Sequence, residues 1–305
     1  MTTIETNPIY GGAWPAVVTP FDENLKIDVA AYRSLIDWYI RLGAGGLYAN
    51  CLTSEMYQLT PDERILLTVE AVKTSAGRIP VAATGNAGAV HAGDPSPEAT
   101  LTECRAIAAA GADVVMLVIP PWCMTDDDVE AYFMAVASAI PARLGIYECP
   151  VPRPYHLGTE LVYRLARTGR FYAFKETSCQ WAKILALIEA VKGTPLALLQ
   201  ANSPYLLDAV RAGTPGTMSI AATWLPDLVA QVIKAGQAGD PTADALQTEL
   251  VTLELAQRSV HPRGTKYLLG KRGVPITPRT RAGVDLSEEE KKALDYVAAR
   301  LPAQV

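Results

Sequence analysis

Basic residues are few and scattered. The 305-residue chain carries 27 Lys and Arg against 32 Asp and Glu, a formal net charge of -5, with no basic block or stripe. A surface that follows a phosphate backbone is thereby excluded, and nucleic acid is not an expected partner. Histidine is scarcer still: His91, His156 and His261 stand far apart and outside any HExxH spacing, so no metal site is expected. The five cysteines, Cys51, Cys104, Cys123, Cys149 and Cys179, include no CxxC pair, and a chain of this length can bury a core that needs no disulfide. A reduced, cytoplasmic setting is the expectation. No apolar run is long enough to span a bilayer, since the run that ends at Ile119 is broken by Asp113. The opening MTTIETNPIYGG has no basic region followed by an apolar stretch, so no export signal is expected. Gly/Ser-rich linkers and low-complexity segments are absent too, which argues against a chain of tethered modules.

What the chain does have is alternation. Half of its residues are apolar, and short apolar runs suited to buried parallel strands alternate with longer stretches of helical spacing. Strands are expected at 14–18, 46–50, 80–84, 113–119, 144–149, 171–176, 196–201 and 216–220. Eight such strands make a (β/α)8 TIM barrel, an α/β fold. Thr60, Pro61 and Glu63 stand in capping-box order, Ser203-Pro204 repeats a cap-then-proline signal, and Ser287 precedes three glutamates. Pro226 opens a further helix, and from Gly239 onward the pattern is helical without strands. The expected organisation is a barrel over 1–238 and a C-terminal helical extension over 239–305, packed on the barrel.

In such a barrel, reactive groups sit at the C-terminal ends of the strands. Lys175 ends the apolar run Phe171, Tyr172, Ala173, Phe174, and alternation places it on the face of Ala173 and Phe171. If that face points inward, desolvation lowers the lysine pKa and supplies the neutral amine that attacks a ketone. The alternative is a lysine that snorkels to solvent or pairs with Glu176. Tyr147 ends the preceding strand, within reach of the lysine, and a phenol beside an imine can pass protons.

Four segments, WPAVVTPF (14–21), YECP (147–150), FKET (174–177) and GTPGTMS (213–219), resemble in order and spacing the dihydrodipicolinate synthase and N-acetylneuraminate lyase family. The resemblance implies the barrel, usually as a homotetramer, with Lys175 as Schiff-base lysine and Tyr147 as its acid/base partner. It implies a 2-keto acid such as pyruvate as substrate, an aldehyde as its second partner, and no cofactor beyond the covalent lysine imine. The keto-acid carboxylate is bound in this family by a G-[TS]-T-G-E loop, which here reads Cys51, Leu52, Thr53, Ser54, Glu55. Thr53 keeps its place and offers a hydroxyl and a backbone N–H.

Several positions depart from the family pattern. Leu52 replaces a proton-relay hydroxyl, and Trp122 stands at the relay tyrosine lent by a neighbouring subunit. Arg153 is displaced by one residue from the arginine that grips a second carboxylate, and reads equally as a surface residue. Glu148 replaces Asn or Asp and is aimed away from Tyr147. Ala201-Asn202 replaces a pocket-shaping Gly-Asp pair, Asn202 serving either a substrate hydroxyl or a helix cap, while Met218-Ser219 resembles the usual Ile-Ser. The exchanges at Leu52 and Trp122 suggest a drier second-substrate region, suited to an aromatic or other bulky aldehyde. The expected function is a Schiff-base aldolase or lyase acting on a 2-keto acid. Alternatives are a 2-keto-3-deoxy sugar acid dehydratase or hydratase-aldolase, an authentic dihydrodipicolinate synthase, and a keto-acid-binding sensor without turnover.

Overall fold

The computed structural model describes residues 8–281 and 283–301. Most of the opening segment read above for an export signal, residues 1–7, lies outside them, as do the last four residues of the expected extension. Eight parallel strands form one sheet: β1 (Gly12–Pro15), β2 (Leu47–Tyr48), β3 (Val81–Thr84), β4 (Val114–Val118), β5 (Leu144–Tyr147), β6 (Phe171–Glu176), β7 (Ala197–Gln200) and β8 (Gly216–Ser219). β1 pairs with β8, and the order runs back through β7 to β2. The circle closes where Ala16 bridges Tyr48 and the Val17 N–H reaches the Tyr48 carbonyl at 3.0 Å. The chain is therefore a TIM barrel, with strands somewhat shorter than the apolar runs that announced them.

The helices, in chain order, are α1 (Val29–Arg41), α2 (Pro61–Ser75), α3 (Ala87–Ala92), α4 (Pro97–Ala109), α5 (Asp126–Ala139), α6 (Thr159–Arg167) and α7 (Trp181–Val191). There follow α8 (Leu206–Ala212), α9 (Ile220–Trp224), α10 (Pro226–Ala238), α11 (Ala243–Gln257), α12 (Arg263–Lys271) and α13 (Glu288–Ala298). Local sequence explains their starts. The Thr60 hydroxyl accepts the Glu63 N–H at 3.2 Å while the Glu63 carboxylate accepts the Thr60 N–H at 2.9 Å, and Ser287 with Glu290 repeats the arrangement at α13. Ser203-Pro204 behaves differently. It opens only a 3-10 turn, Ser203–Tyr205, and the Ser203 hydroxyl caps nothing.

Burial follows the strand period. In β4, Val114, Met116 and Val118 join the barrel interior with Trp14, Tyr48, Ala173, Leu199 and Met218, while Val115 and Leu117 pack outward against the helix layer. Trp14 is fully buried there, and its indole presses on Gly46, where a Cβ would lie 2.3 Å from the ring. The alternation fails once, at the start of β6. Leu144 pairs with Phe171 but Gly145 pairs with Ala173, so Tyr172 is an extra residue in the register. Phe171 consequently faces the outer layer with Phe174, not the interior with Ala173 and Lys175, and its expected place on the lysine's face is corrected.

The C-terminal helices are continuous with this core. Leu250, Leu253, Val260, Leu268, Leu269 and Leu294 belong to the same apolar cluster as Leu35, Tyr39 and Trp224. Among the described residues, no helix is long and apolar enough to cross a membrane.

Candidate active site

The register that aligns β5 with β6 sets Tyr147 directly beside Lys175. Both are interior, 3 % and 5 % exposed, and the Lys175 Nζ lies 4.6 Å from the Tyr147 ring centre and 5.3 Å from that of Tyr48. Tyr48 meets Tyr147 edge to face at 5.5 Å and is anchored through its hydroxyl to Thr84 at 2.8 Å. Burial holds the Lys175 pKa below the usual lysine range, opposed by the neighbouring thiols of Cys51 and Cys149. Burial drives the Tyr147 phenol well upward, so it stays protonated. The Glu176 carboxylate is occupied elsewhere: it accepts the Ser178 N–H at 2.7 Å and the Gln200 amide at 2.8 Å. The pairing of Lys175 with Glu176 left open by the sequence is not made. A buried amine of lowered basicity, free of a carboxylate partner and adjoining a protonated phenol, has the properties that imine formation requires.

Both residues open into a cavity of about 600 Å³ that Leu52, Thr53, Ala201 and Asn202 also line. These are four of the positions singled out in the sequence. The loop after β2 tightens into a 3-10 turn whose first bond runs from the Ser54 N–H to the Cys51 carbonyl at 3.0 Å, leaving the N–H groups of Leu52 and Thr53 ahead of it. Ser54 does not line the cavity. It is fully buried, and its hydroxyl ties the turn to the Val17 carbonyl. Asn202 stands before the 3-10 turn without capping it, and its amide nitrogen donates to the Gln200 side chain at 3.2 Å.

Three expected site residues do not line this cavity of the single chain. Trp122 packs edge-on against Tyr132, 6.4 Å away, on the outer layer. Arg153 donates to the Cys123 carbonyl at 2.7 Å and covers the Tyr155 ring, which joins two loops and leaves the guanidinium off the cavity wall. Met218 fills the barrel interior below the cavity lining. Glu148 points away from Tyr147, as alternation required. It accepts N–H bonds from Leu157 and Thr177 at 2.9 and 3.0 Å, and burial, aided by the nearby Glu176, pushes its pKa up to about 7.

The other wall of the cavity comes from residues the sequence reading passed over. Glu254, Arg258, His261, Pro262 and Arg263 line it, all from the C-terminal helices. Glu254, Arg258 and Arg263 put charged groups on this wall of the single chain's cavity, alongside the apolar Leu52. His261 connects this wall to the loop after β2. Its Nε2 is 3.3 Å from the Thr53 hydroxyl and its Nδ1 is 2.8 Å from the Thr265 hydroxyl, which in turn donates to Gln257 at 2.8 Å. With the Thr265 proton engaged by Gln257, Nδ1 must donate, so Nε2 accepts from Thr53. The Thr53 hydroxyl is thus held by His261, and its backbone N–H remains for an anion. Burial, reinforced by the positive charges of Lys175 and Lys266, pushes the His261 pKa down to about 3 and keeps the ring neutral. Among the described residues, no cluster of His, Cys, Asp or Glu could hold a metal ion.

The model of the dihydrodipicolinate synthetase family matches residues 10–300. A 4-hydroxy-tetrahydrodipicolinate synthase of Neisseria gonorrhoeae is 28% identical over 285 residues, covering 89% of this chain and 94% of the relative. One from Chloroherpeton thalassium is 27% identical, covering 95% of each. In fold, the chain is similar to a dihydrodipicolinate synthase of Bacillus anthracis, with a TM-score of 0.86, 24% identity and coverage of 97% and 99%. It is also similar to the chloride-inhibited synthase of Acinetobacter baumannii complexed with pyruvate, with a TM-score of 0.85, 22% identity and coverage of 95% and 99%. A match over nearly the whole chain identifies it as a member of the dihydrodipicolinate synthetase family of class I Schiff-base lyases and aldolases.

Proposed function

We propose that this protein makes or breaks a carbon–carbon bond adjacent to a 2-keto acid, pyruvate or a close analogue, held as an imine on Lys175. The observation that carries the reading is the placement of Lys175: buried, of lowered basicity, unpaired with a carboxylate, and beside the Tyr147 phenol at the floor of the cavity. Binding of pyruvate by the Acinetobacter baumannii protein of similar fold supports the choice of keto acid.

In this mechanism the lysine nitrogen attacks the keto carbon, and the former carbonyl oxygen leaves as water as the carbon–nitrogen double bond forms. Tyr147, protonated at neutral pH, gives the proton that lets this oxygen depart and recovers one when C3 is deprotonated to the enamine. The Leu52 and Thr53 N–H groups seat the carboxylate, a role open to Leu52 because it needs only the backbone. The enamine then adds to the aldehyde, or the reverse sequence releases it.

Incubation with pyruvate and borohydride is expected to fix a reduced pyruvyl group on Lys175, located by peptide mass mapping. The absence of any adduct across a panel of 2-keto acids would overturn the imine mechanism.

A further inference from the structure

Tyr147 and Lys175 stand side by side, but the ladder that leads to them is irregular. β5 and β6 slip by one residue between Leu144 and Gly145, so only Gly145 with Ala173, Ile146 with Phe174 and Tyr147 with Lys175 follow in register. What holds the strands beyond this short run is one residue, Glu148. Its N–H reaches the Lys175 carbonyl at 3.4 Å, its carbonyl accepts the Thr177 hydroxyl at 2.8 Å, and its Oε2 accepts the Thr177 N–H at 3.0 Å. The second carboxylate oxygen, Oε1, accepts the Leu157 N–H at 2.9 Å, which ties down the loop after β5 beside His156. Thr177, His156 and Pro150 all line the cavity.

Two N–H donors, one on each oxygen, suit an ionised carboxylate. Once protonated, the group keeps one good acceptor, and the hydrogen on its other oxygen competes with the N–H already pointing there. Glu148 is 1 % exposed, and burial is the main force that pushes its pKa up to about 7. Among the charges around it, Glu176 on β6 adds to the rise and Lys183 on α7 opposes it, as do the N–H bonds from Thr177 and Leu157. His156, in the tethered loop, is itself kept from charging by burial and by Lys183. The carboxyl therefore changes form near neutral pH, and one of its two bonds to the site loops weakens when it does. Proton transfer between a phenol and an imine responds steeply to such a loosening, because a shift of about 1 Å costs up to about a hundredfold in rate.

We propose that Glu148 is a positioning residue for Lys175 and Tyr147: its carboxylate clasps the chain after β6 and the loop after β5, and the clasp is complete only in the ionised form. The proposal rests on the imine reading and gives the site a control on the outer face of β5, away from the substrate.

Exchange of the pyruvate methyl hydrogens in deuterated buffer, followed by proton NMR, tests it, because this exchange needs the imine and its proton transfer but no second substrate. Glu148→Gln preserves shape and fixes one good acceptor, with its amide NH2 set against the other N–H, so it mimics the protonated clasp at every pH. The titration of Lys175 is common to both proteins and cancels in the ratio of their rates. The parent protein is expected to exchange about tenfold faster than Glu148→Gln at about pH 8 and no more than about twofold faster at about pH 6. Lys183→Met leaves the clasp intact but removes a charge that favours its ionised form, so the acid limb of exchange is expected to move to higher pH by a few tenths of a unit or more. A ratio that is the same at both pH values, or an acid limb unmoved by Lys183→Met, would overturn the proposal. Borohydride trapping with pyruvate on the parent protein at about pH 8 reports separately on Lys175. Absence of an adduct there sinks the imine reading, whereas an adduct together with a constant ratio sinks only the clasp.

Discussion

Tyr147 has two jobs that one substitution separates. Its ring packs edge-on against Tyr48 and walls the Lys175 ammonium, while its hydroxyl carries the only readily exchanged proton that this strand aims at the lysine. Tyr147→Phe keeps the ring and deletes the proton. Turnover is therefore expected to fall about a hundredfold or more, with pyruvate still trapped slowly on Lys175 by borohydride, because the amine and its desolvated surroundings persist. Steady-state kinetics paired with trapping checks this. Turnover equal to that of the parent protein would remove Tyr147 from the chemistry. The same division applies at Leu52 and Thr53, where loss of one side-chain hydroxyl leaves the N–H groups of the turn in place.

At the scale of elements, the loop after β2 is held from two sides, by the segment after β1 through the Ser54 and Thr19 hydroxyls and by the C-terminal helices. The Lys266 ammonium, fully buried on α12, donates to Glu55 at 2.7 Å and to the Arg279 carbonyl at 2.6 Å, and Glu55 also accepts the Arg281 N–H at 2.7 Å. Glu55 itself adopts a left-handed backbone, φ 60°, an unfavourable conformation for a residue with a side chain, so these bonds offset local strain. Lys266→Met leaves Glu55 buried with its charge uncompensated. A loss of about 3–5 kcal/mol in urea unfolding is expected, with partial recovery in Lys266→Met/Glu55→Gln. A change within error of zero would mean that the ion pair is not what fastens the extension to the loop.

These cross-links also mark where the sequence became unreadable. Lys175, Tyr147 and Thr53 were legible because each ends an apolar run or sits in the turn just after one, and strand ends face the site in a barrel. The capping boxes at Thr60 and Ser287 were legible because their bonds span three residues. By contrast, Thr53 and His261 are 208 residues apart, and Glu55 and Lys266 are 211 apart. No local period links them. A hint was available in the cluster Arg258, His261, Arg263, three polar or cationic residues around a proline in a tail otherwise patterned as packing helices. The outward turn of Phe171 had no such hint, since an extra residue in a strand register leaves the apolar run unbroken.

Over the whole molecule, two buried groups make opposite demands on the proton balance of folding. His261 is pushed down from 6.5 to about 3, so between those values the unfolded chain holds a proton that the native protein refuses, and stability falls as pH drops through that window. Glu148 is pushed up from 4.5 to about 7, so the native protein holds a proton that the unfolded chain releases, and stability rises as pH drops from 7 to 4.5. Where the windows overlap, from 4.5 to 6.5, the two contributions cancel. His261→Asn removes one of them. The variant loses the bonds to Thr53 and Thr265, a penalty that does not depend on pH, but no longer keeps a neutral imidazole that acid would charge. Relative to the parent protein, it is therefore expected to gain up to about 1.4 kcal/mol for each unit of pH lowered below 6.5, the slope of a single proton. Urea unfolding of both proteins at about pH 7, 6 and 5 measures the difference directly. A difference that stays constant across the series would show that His261 titrates alike in both states, and with it would fall the assignment of a neutral ring whose Nε2 accepts the Thr53 hydroxyl.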